Sequence, residues 1–174
     1  MIDIENCHIT HIPAKVLAEP AKPVEKIDEP IRKLVDKMAD IMVEYKGVGL
    51  AGPQAGVPLR IFIISLDGQK ENVRAFINPT VVCDGKTVTN EEGCLSVPGV
   101  FTRIRRYKKC TVTATGLDGK VFTEEAEGLY ARALQHEFDH INGTTIADKM
   151  STVAKIAHRK KLQELKDRQE NENQ

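Results

Sequence analysis

His136-Glu137-Phe138-Asp139-His140 is the segment on which the fold turns. On an α-helix, residues four apart stand one above the other on the same face. His136 and His140 can therefore aim two imidazoles at one metal ion, with Glu137 beside them to move a proton. The neighbours Leu134, Phe138 and Ile141 add an apolar component, so this helix is expected to lie against the core and not on a solvated face. Its expected span is about Ala126 to Asn142, stopping near Gly143. Asp139 is read as a structural hydrogen-bonding partner.

Upstream of that helix the chain is strand-like. Cys110–Leu117, Asp118-Gly119 and Lys120–Glu125 spell a hairpin, because Asp-Gly suits a type I′ turn. Val73–Cys83, Asp84-Gly85 and Lys86–Asn90 read as another hairpin, interrupted at Pro79. Arg60–Leu66 is a short apolar strand ending at Asp67-Gly68. Before these, a helix is expected from about Asp28 to Tyr45. Asp28 or Glu29 would cap it, Pro30 suits its first turn, and Ile31, Leu34, Val35, Met38, Ile41, Met42 and Tyr45 form one apolar face. Pro13, Pro20 and Pro23 imply an extended lead-in. A last helix is expected over about 151–168, with a disordered tail at 169–174. The fold class that follows is α+β: antiparallel β-sheets around a central metal-bearing helix, with an N-terminal and a C-terminal helix, in one domain over 1–174.

The 174 residues carry 25 Lys+Arg and 25 Asp+Glu, a formal net charge of zero. That balance gives no electrostatic footprint for nucleic acid or for a membrane surface. No window approaches the ~20 apolar residues of a membrane span. Met1–His8 lacks the basic start and long apolar run of a signal peptide. Cys7, Cys83, Cys94 and Cys110 are widely spaced without a CxxC pair, which fits a cytosolic protein with reduced thiols.

The third metal ligand sets the class of chemistry. In a His-Glu-x-x-His-x-x-Gly-x-x-His pattern Gly143 is present, but Ile146 stands where the last ligand belongs, and Ile cannot bind a metal. A carboxylate from a later helix is available as Glu164, in a charged tail with no supporting pattern. Cys94, within Glu92-Gly93-Cys94-Leu95-Ser96, would supply a soft thiolate and leave one position open for water. Such a site points to metal-assisted hydrolysis of a small carbonyl group. His8, His11 and His158 lie outside any ligand pattern and are expected at the surface. Gly47-x-Gly49-x-x-Gly52 formally matches a dinucleotide-binding fingerprint, but it follows a helix instead of a strand, and Pro53 and Pro58 prevent the helix that should open onto a pyrophosphate.

Three separated segments, Gly47-Val48-Gly49-Leu50-Ala51-Gly52-Pro53-Gln54, Glu92-Gly93-Cys94-Leu95-Ser96 and Gln135-His136-Glu137-Phe138-Asp139-His140, together resemble the peptide deformylases, from Lys22-Pro23-Val24 through Asn142-Gly143. The resemblance implies a metal-dependent hydrolase that removes the N-formyl group from the N-terminal formylmethionine of newly made proteins and releases formate. It implies Cys94, His136 and His140 as ligands of one divalent metal per chain, Fe(II) foremost, with Zn, Ni or Co able to replace it. It implies Glu137 as the proton carrier, with the Gln54 side-chain amide and the Leu95 backbone N–H stabilising the oxyanion. Val48 and Gly49 resemble the strip that pairs with the peptide backbone, with Gly93 opposite. An apolar pocket for the Met side chain is expected from Val48, Leu95, Leu129 and Ala133. Glu92 resembles a glutamate paired with an arginine, here Arg106, as support for the metal loop.

The same resemblance suggests formyl-Met nascent peptides as partners of a cytoplasmic monomer. It also suggests docking on the ribosome through the C-terminal helix and its basic cluster Lys155, Arg159, Lys160 and Lys161. No membrane partner and no direct sequence-specific nucleic-acid contact are expected. Gly52 departs from the family, which usually has Ala there, and leaves open how rigidly Gln54 is held. Two rivals stand beside this. A zinc peptidase or related amidase on the same helix would lose little on Cys94→Ser. An inactive binding module is disfavoured by the intact Glu137 and ligand set.

Overall fold

The computed structural model describes residues 3–172, with side chains through Gln169. In chain order the elements are α1 (Lys15–Ala18), α2 (Glu29–Glu44), β1 (Gly49–Ala51), β2 (Ile61–Ile64), β3 (Arg74–Gly93), β4 (Phe101–Thr115), β5 (Val121–Glu127), α3 (Gly128–Ile141), α4 (Ile146–Lys149), α5 (Thr152–Ala157) and α6 (Arg159–Glu172). The five strands form one antiparallel sheet in the order β1-β2-β3-β4-β5. The α+β architecture with N- and C-terminal helices is the expected one.

β2 explains why two helices can be held by one sheet. All of Ile61, Phe62, Ile63 and Ile64 are buried, and successive strand side chains point to opposite faces. Ile61 and Ile63 pack with Leu34, Met38 and Met42 of α2. Phe62 and Ile64 pack with Ala131, Leu134 and Ile141 of α3. Each of these large apolar side chains contributes about 1.5–3 kcal/mol on burial. α2 is capped by Asp28, whose side chain accepts from the Ile31 N–H. Its apolar face is as expected except at Tyr45, which is half exposed.

The long strands depart from the sequence expectation. Val73–Asn90 is not a hairpin: β3 runs unbroken from Arg74 to Gly93 and pairs along its length with β4. Asp84-Gly85 makes a bulge instead of a turn. Asp84 pairs with Lys109 and Thr87 with Tyr107, so β3 carries one residue more than β4 there, and Gly85 sits at φ 75°. A glycine-type bulge and a type I′ turn both take a residue at positive φ, which is why the sequence signal is shared. Pro79 lies in a second register shift, between Ile77 and Thr80, where a missing N–H is tolerated. The β4–β5 hairpin is present, but its loop is longer than a two-residue turn. Thr115 pairs with Val121, Gly116 N–H donates to the Lys120 carbonyl at 2.9 Å, and Gly119 N–H to the Gly116 carbonyl at 3.0 Å.

α3 begins at Gly128, because Ala126 and Glu127 still belong to β5. The C-terminal segment is two helices, broken at His158. Residues 169–172, expected to be disordered, continue α6; Lys, Gln, Glu, Leu and Arg are good helix formers, and the Gln163 amide donates to Asp167 one turn on. Residues 173–174 of that expected tail lie outside the described residues. Leu165 of α6 is buried with Val97, Val100, Ile104, Ile146 and Met150, and Cys94 packs against the same cluster. α6 thus backs the loop that follows β3.

Candidate metal centre

α3 delivers two of the three candidate ligands. His136 and His140, one turn apart, bring their Nε2 atoms to 3.3 Å of each other. Cys94, just after the end of β3, places Sγ 3.2 Å from His140 Nε2. Among the described residues these three donor atoms all lie within 4.8 Å of one another. The protonation pattern suits a metal. His136 Nδ1 is 3.0 Å from Glu92 Oε2, and a carboxylate can only accept, so Nδ1 carries a proton. Against the effect of burial, Cys94 and Glu92 hold this imidazole in its protonated form, well above its ordinary range, and a divalent ion would take the place of the Nε2 proton. Burial, then the positive charges of His136 and Arg106, hold the His140 imidazole well below its ordinary range, in the neutral form that ligates. Two imidazole nitrogens and a thiol converging at this spacing fit a single divalent ion. Ile146 is instead a buried core residue, and Glu164 sits on α6 paired with Lys161.

Behind the ligands lies a buried charge network. Arg106 on β4 grips Glu92 on β3 bidentately, Nε to Oε1 and Nη2 to Oε2, both at 2.9 Å. Its remaining Nη1 reaches Asp139 Oδ2 at 2.5 Å, and Lys149 closes the far side of Asp139 at 3.1 Å. Burial by itself would raise the Glu92 carboxyl. The hydrogen bonds from His136 and Arg106, with their charges, outweigh it and hold Glu92 at about 2. Glu92 is therefore a permanent anion that orients His136.

Glu137 stands in the opposite situation. Burial pushes its carboxyl up to about 7, against the pull of His136 and Arg106. Its Oε2 is buried with no hydrogen-bond partner among the described residues. A carboxyl of this kind exchanges a proton near neutral pH. Gly49 makes room for it: a Cβ there would lie 2.6 Å from Glu137 Oε1.

Gln54 belongs to a short 3-10 turn, Gly52–Ala55. The Ala51 N–H donates to its Oε1 at 2.8 Å, which fixes the amide so that Nε2 faces Cys94 Sγ at 3.5 Å. Gly52 permits a tight approach next to Gln54, since a Cβ there would meet the Leu59 carbonyl oxygen at 2.7 Å and that of Val57 at 2.9 Å. The Leu95 N–H, next to Cys94, has no protein partner among the described residues. Two donors therefore flank the metal position from different segments.

A cavity of about 560 Å³ opens over these groups. Val48, Gly49 and Gly93 line it together with Leu95, Leu129 and Ala133, all on sequence grounds expected there. β1, which holds Gly49, is an edge strand of the sheet. Among the lining residues that the sequence did not point to are His11, Phe101 and Arg132. His11 precedes the first helix by several residues and Phe101 opens a strand whose first half carries no turn signal, so neither had a local pattern to reveal it. Arg132 is four residues before His136, and helical spacing alone would have placed it on the metal face.

A family model for polypeptide deformylase matches residues 6–155. Peptide deformylase 1 of Burkholderia multivorans is 41% identical over 160 residues, covering 91% of this chain and 88% of that one. Peptide deformylase of Thermotoga maritima is 42% identical over 151 residues, covering 86% and 90%. Among solved structures, the crystal structure of a peptide deformylase from Legionella pneumophila superposes with a TM-score of 0.86 at 41% identity, over 94% of this chain and 96% of that one.

Proposed function

The chain belongs to the polypeptide deformylase family, and from that premise we propose that Cys94, His136 and His140 hold its one metal ion, that Glu137 is its proton carrier, and that Gln54 and Leu95 receive the oxyanion. It is a hydrolase that takes the formyl group from N-terminal formylmethionine and releases formate. The observation that carries the residue assignment is the convergence of Gln54 Nε2 on Cys94 Sγ beside the paired Nε2 atoms of His136 and His140.

A divalent ion bound there supplies Lewis acidity, polarising the formyl carbonyl and acidifying water. The chain does the rest. Glu137, buried and titrating near neutrality, removes the proton from the attacking water and returns it to the departing amine. As the formyl carbon becomes tetrahedral, charge grows on its oxygen. The Gln54 amide, held by the Ala51 N–H, and the Leu95 N–H donate to that oxygen. Val48 and Gly49 on the edge-strand side and Gly93 across the cavity hold the peptide backbone extended. Glu92 and Arg106 keep His136 in its ligand tautomer. A bare metal-helix peptidase would have no use for an amide aimed at the thiolate.

The metal is Fe(II) in this proposal, with Zn, Ni or Co as substitutes, because thiolate and imidazole ligands suit all of them. The chain works as a monomer and a single domain, in the cytoplasm. Its four cysteines form no disulfide, which fits a reducing compartment. No helix among the described residues is long and apolar enough to cross a membrane. Ribosome docking through α5 and α6 uses the exposed Lys155, Arg159 and Lys160; Lys161 is engaged with Glu164. Because α6 backs the metal loop, charge reversal of those three residues tests docking better than truncation does.

The experiment for the activity is formate release from a formyl-Met tripeptide by anaerobically purified protein, with Glu137→Gln as control and metal content measured in parallel. Release that needs Glu137 and tracks one metal per chain is expected. No release with iron, nickel or cobalt would overturn it.

A further inference from the structure

A second cavity, of about 380 Å³, shares Leu129 and Arg132 with the metal cavity. Its floor is the stretch of β3 just before Glu91, with Val88 and Asn90, and its wall includes Lys108 and Lys109 of β4. The two cavities therefore adjoin at Leu129 and Arg132, beside β3 and the start of α3.

The charges in the second cavity are unbalanced. Glu127 is its one acidic lining residue, and Lys109 already pairs with it. Arg106 is consumed by Glu92 and Asp139. Arg132 and Lys108 line the cavity and, among the described residues, neither has an ion pair. Glu91 lines the metal cavity only. Arg132 is half-buried and stands one helical turn before His136, an offset of about 6 Å along the axis. An extended peptide advances about 3.3 Å per residue. A group one or two residues beyond the reacting end is thus within reach of the guanidinium.

We propose that the second cavity is a carboxylate subsite, in which Arg132 and Lys108 favour formylated peptides bearing a carboxylate one or two residues after the formylmethionine. It deepens the activity assigned above and rests on it. A planar guanidinium can grip a carboxylate with two parallel N–H donors, and Lys108 adds a second positive charge at the mouth. The carboxylate comes from an acidic side chain or from the C-terminus of a short peptide.

The test compares three sets of formyl-Met tripeptides on the anaerobic, metal-loaded protein: amidated with Asp or Glu at the second or third position, amidated with Asn or Gln there, and the neutral peptides with a free C-terminus. Formate release is followed at low and high salt. A carboxylate is expected to raise kcat/KM about tenfold, through KM, with the gain shrinking at high salt. The first and third sets tell which carboxylate is read. Arg132→Gln and Lys108→Gln, each verified as folded by thermal melting, are expected to erase the preference, and Arg132→Lys to keep part of it. Equal kcat/KM across the three sets, or a preference that survives both Gln variants, would overturn the subsite. Absence of formate from every peptide would instead overturn the deformylase activity and the subsite with it.

Discussion

Gly52→Ala tests how the catalytic amide is held. The added Cβ would sit 2.7 Å from the Leu59 carbonyl oxygen, 2.9 Å from that of Val57 and 3.2 Å from Ile61 Cγ2. Neither oxygen can withdraw alone. The Leu59 carbonyl accepts from the Ile61 N–H at 2.8 Å, and the Val57 carbonyl from the Leu59 N–H at 2.8 Å, while the Val57 N–H closes the turn on the Gly52 carbonyl at 2.9 Å. Overpacking of this kind costs about 1–3 kcal/mol. For a chain of this size each kcal/mol is about 2–4 °C in Tm, so calorimetry should find a fall of about 2–12 °C. The displaced turn carries Gln54 with it, and misplacing one oxyanion donor should lower kcat by about 10- to 100-fold. Metal content should stay at the wild-type value, since Cys94, His136 and His140 come from other segments. An unchanged Tm together with unchanged kcat in the formate assay would refute the claim that close packing at Gly52 positions Gln54.

Other outcomes follow from the same geometry. Gly49→Ala should push Glu137 aside and lower kcat by about 10²-fold or more with metal retained, measured by steady-state kinetics beside metal analysis. Arg106→Met leaves Glu92 buried without its partner; a loss of about 3–5 kcal/mol in denaturant unfolding and a 10–100-fold weaker metal affinity are expected. Cys110 has its thiol pushed up to about 12 by burial, then by the neighbouring Cys83. A group with a raised folded pKa contributes stability that is whole below its unfolded pKa of 9.0 and is lost as pH climbs toward 12. The stability difference between wild type and Cys110→Ala should therefore shift toward the variant by up to about 1.4 kcal/mol per pH unit in that window; parallel pH profiles would refute the raised thiol.

What could be seen in the sequence was whatever depended on local spacing. His136 and His140 share a face because they are four apart, and α2 shows its buried stripe through the same periodicity. The union of Cys94 and Gln54 with that helix needed the three-segment resemblance, because nothing local says that a residue after β3 and a turn after β1 meet at α3. Strand length was the weak point. Gly85 signals positive φ, and a bulge and a turn both satisfy that signal, so only the pairing of Thr87 with Tyr107 distinguishes them. The helical spacing of Arg132 from His136 put it on the metal face, but its place in a second cavity is seen only in the fold.

That bulge sets a reading frame for the metal centre. Before it, the odd-numbered residues Val81 and Cys83 face α3; after it, the even-numbered Asn90 and Glu92 turn inward, Glu92 being buried. β4 buries even residues on both sides of the bulge, Thr102, Ile104 and Arg106 after it and Cys110 and Val112 before it, with Lys108 exposed between them. One extra residue at Asp84–Lys86 has thus been spent to change the parity of a single strand. Deleting Gly85 would remove the bulge, set Lys86 opposite Lys108 and leave Thr87 opposite Tyr107, so plain alternation would still carry Glu92 to the inner face. The anchor of His136 thus tolerates loss of the bulge, whereas deleting Thr89, beyond it, would set Glu92 opposite Arg103 and turn it away from the imidazole it holds.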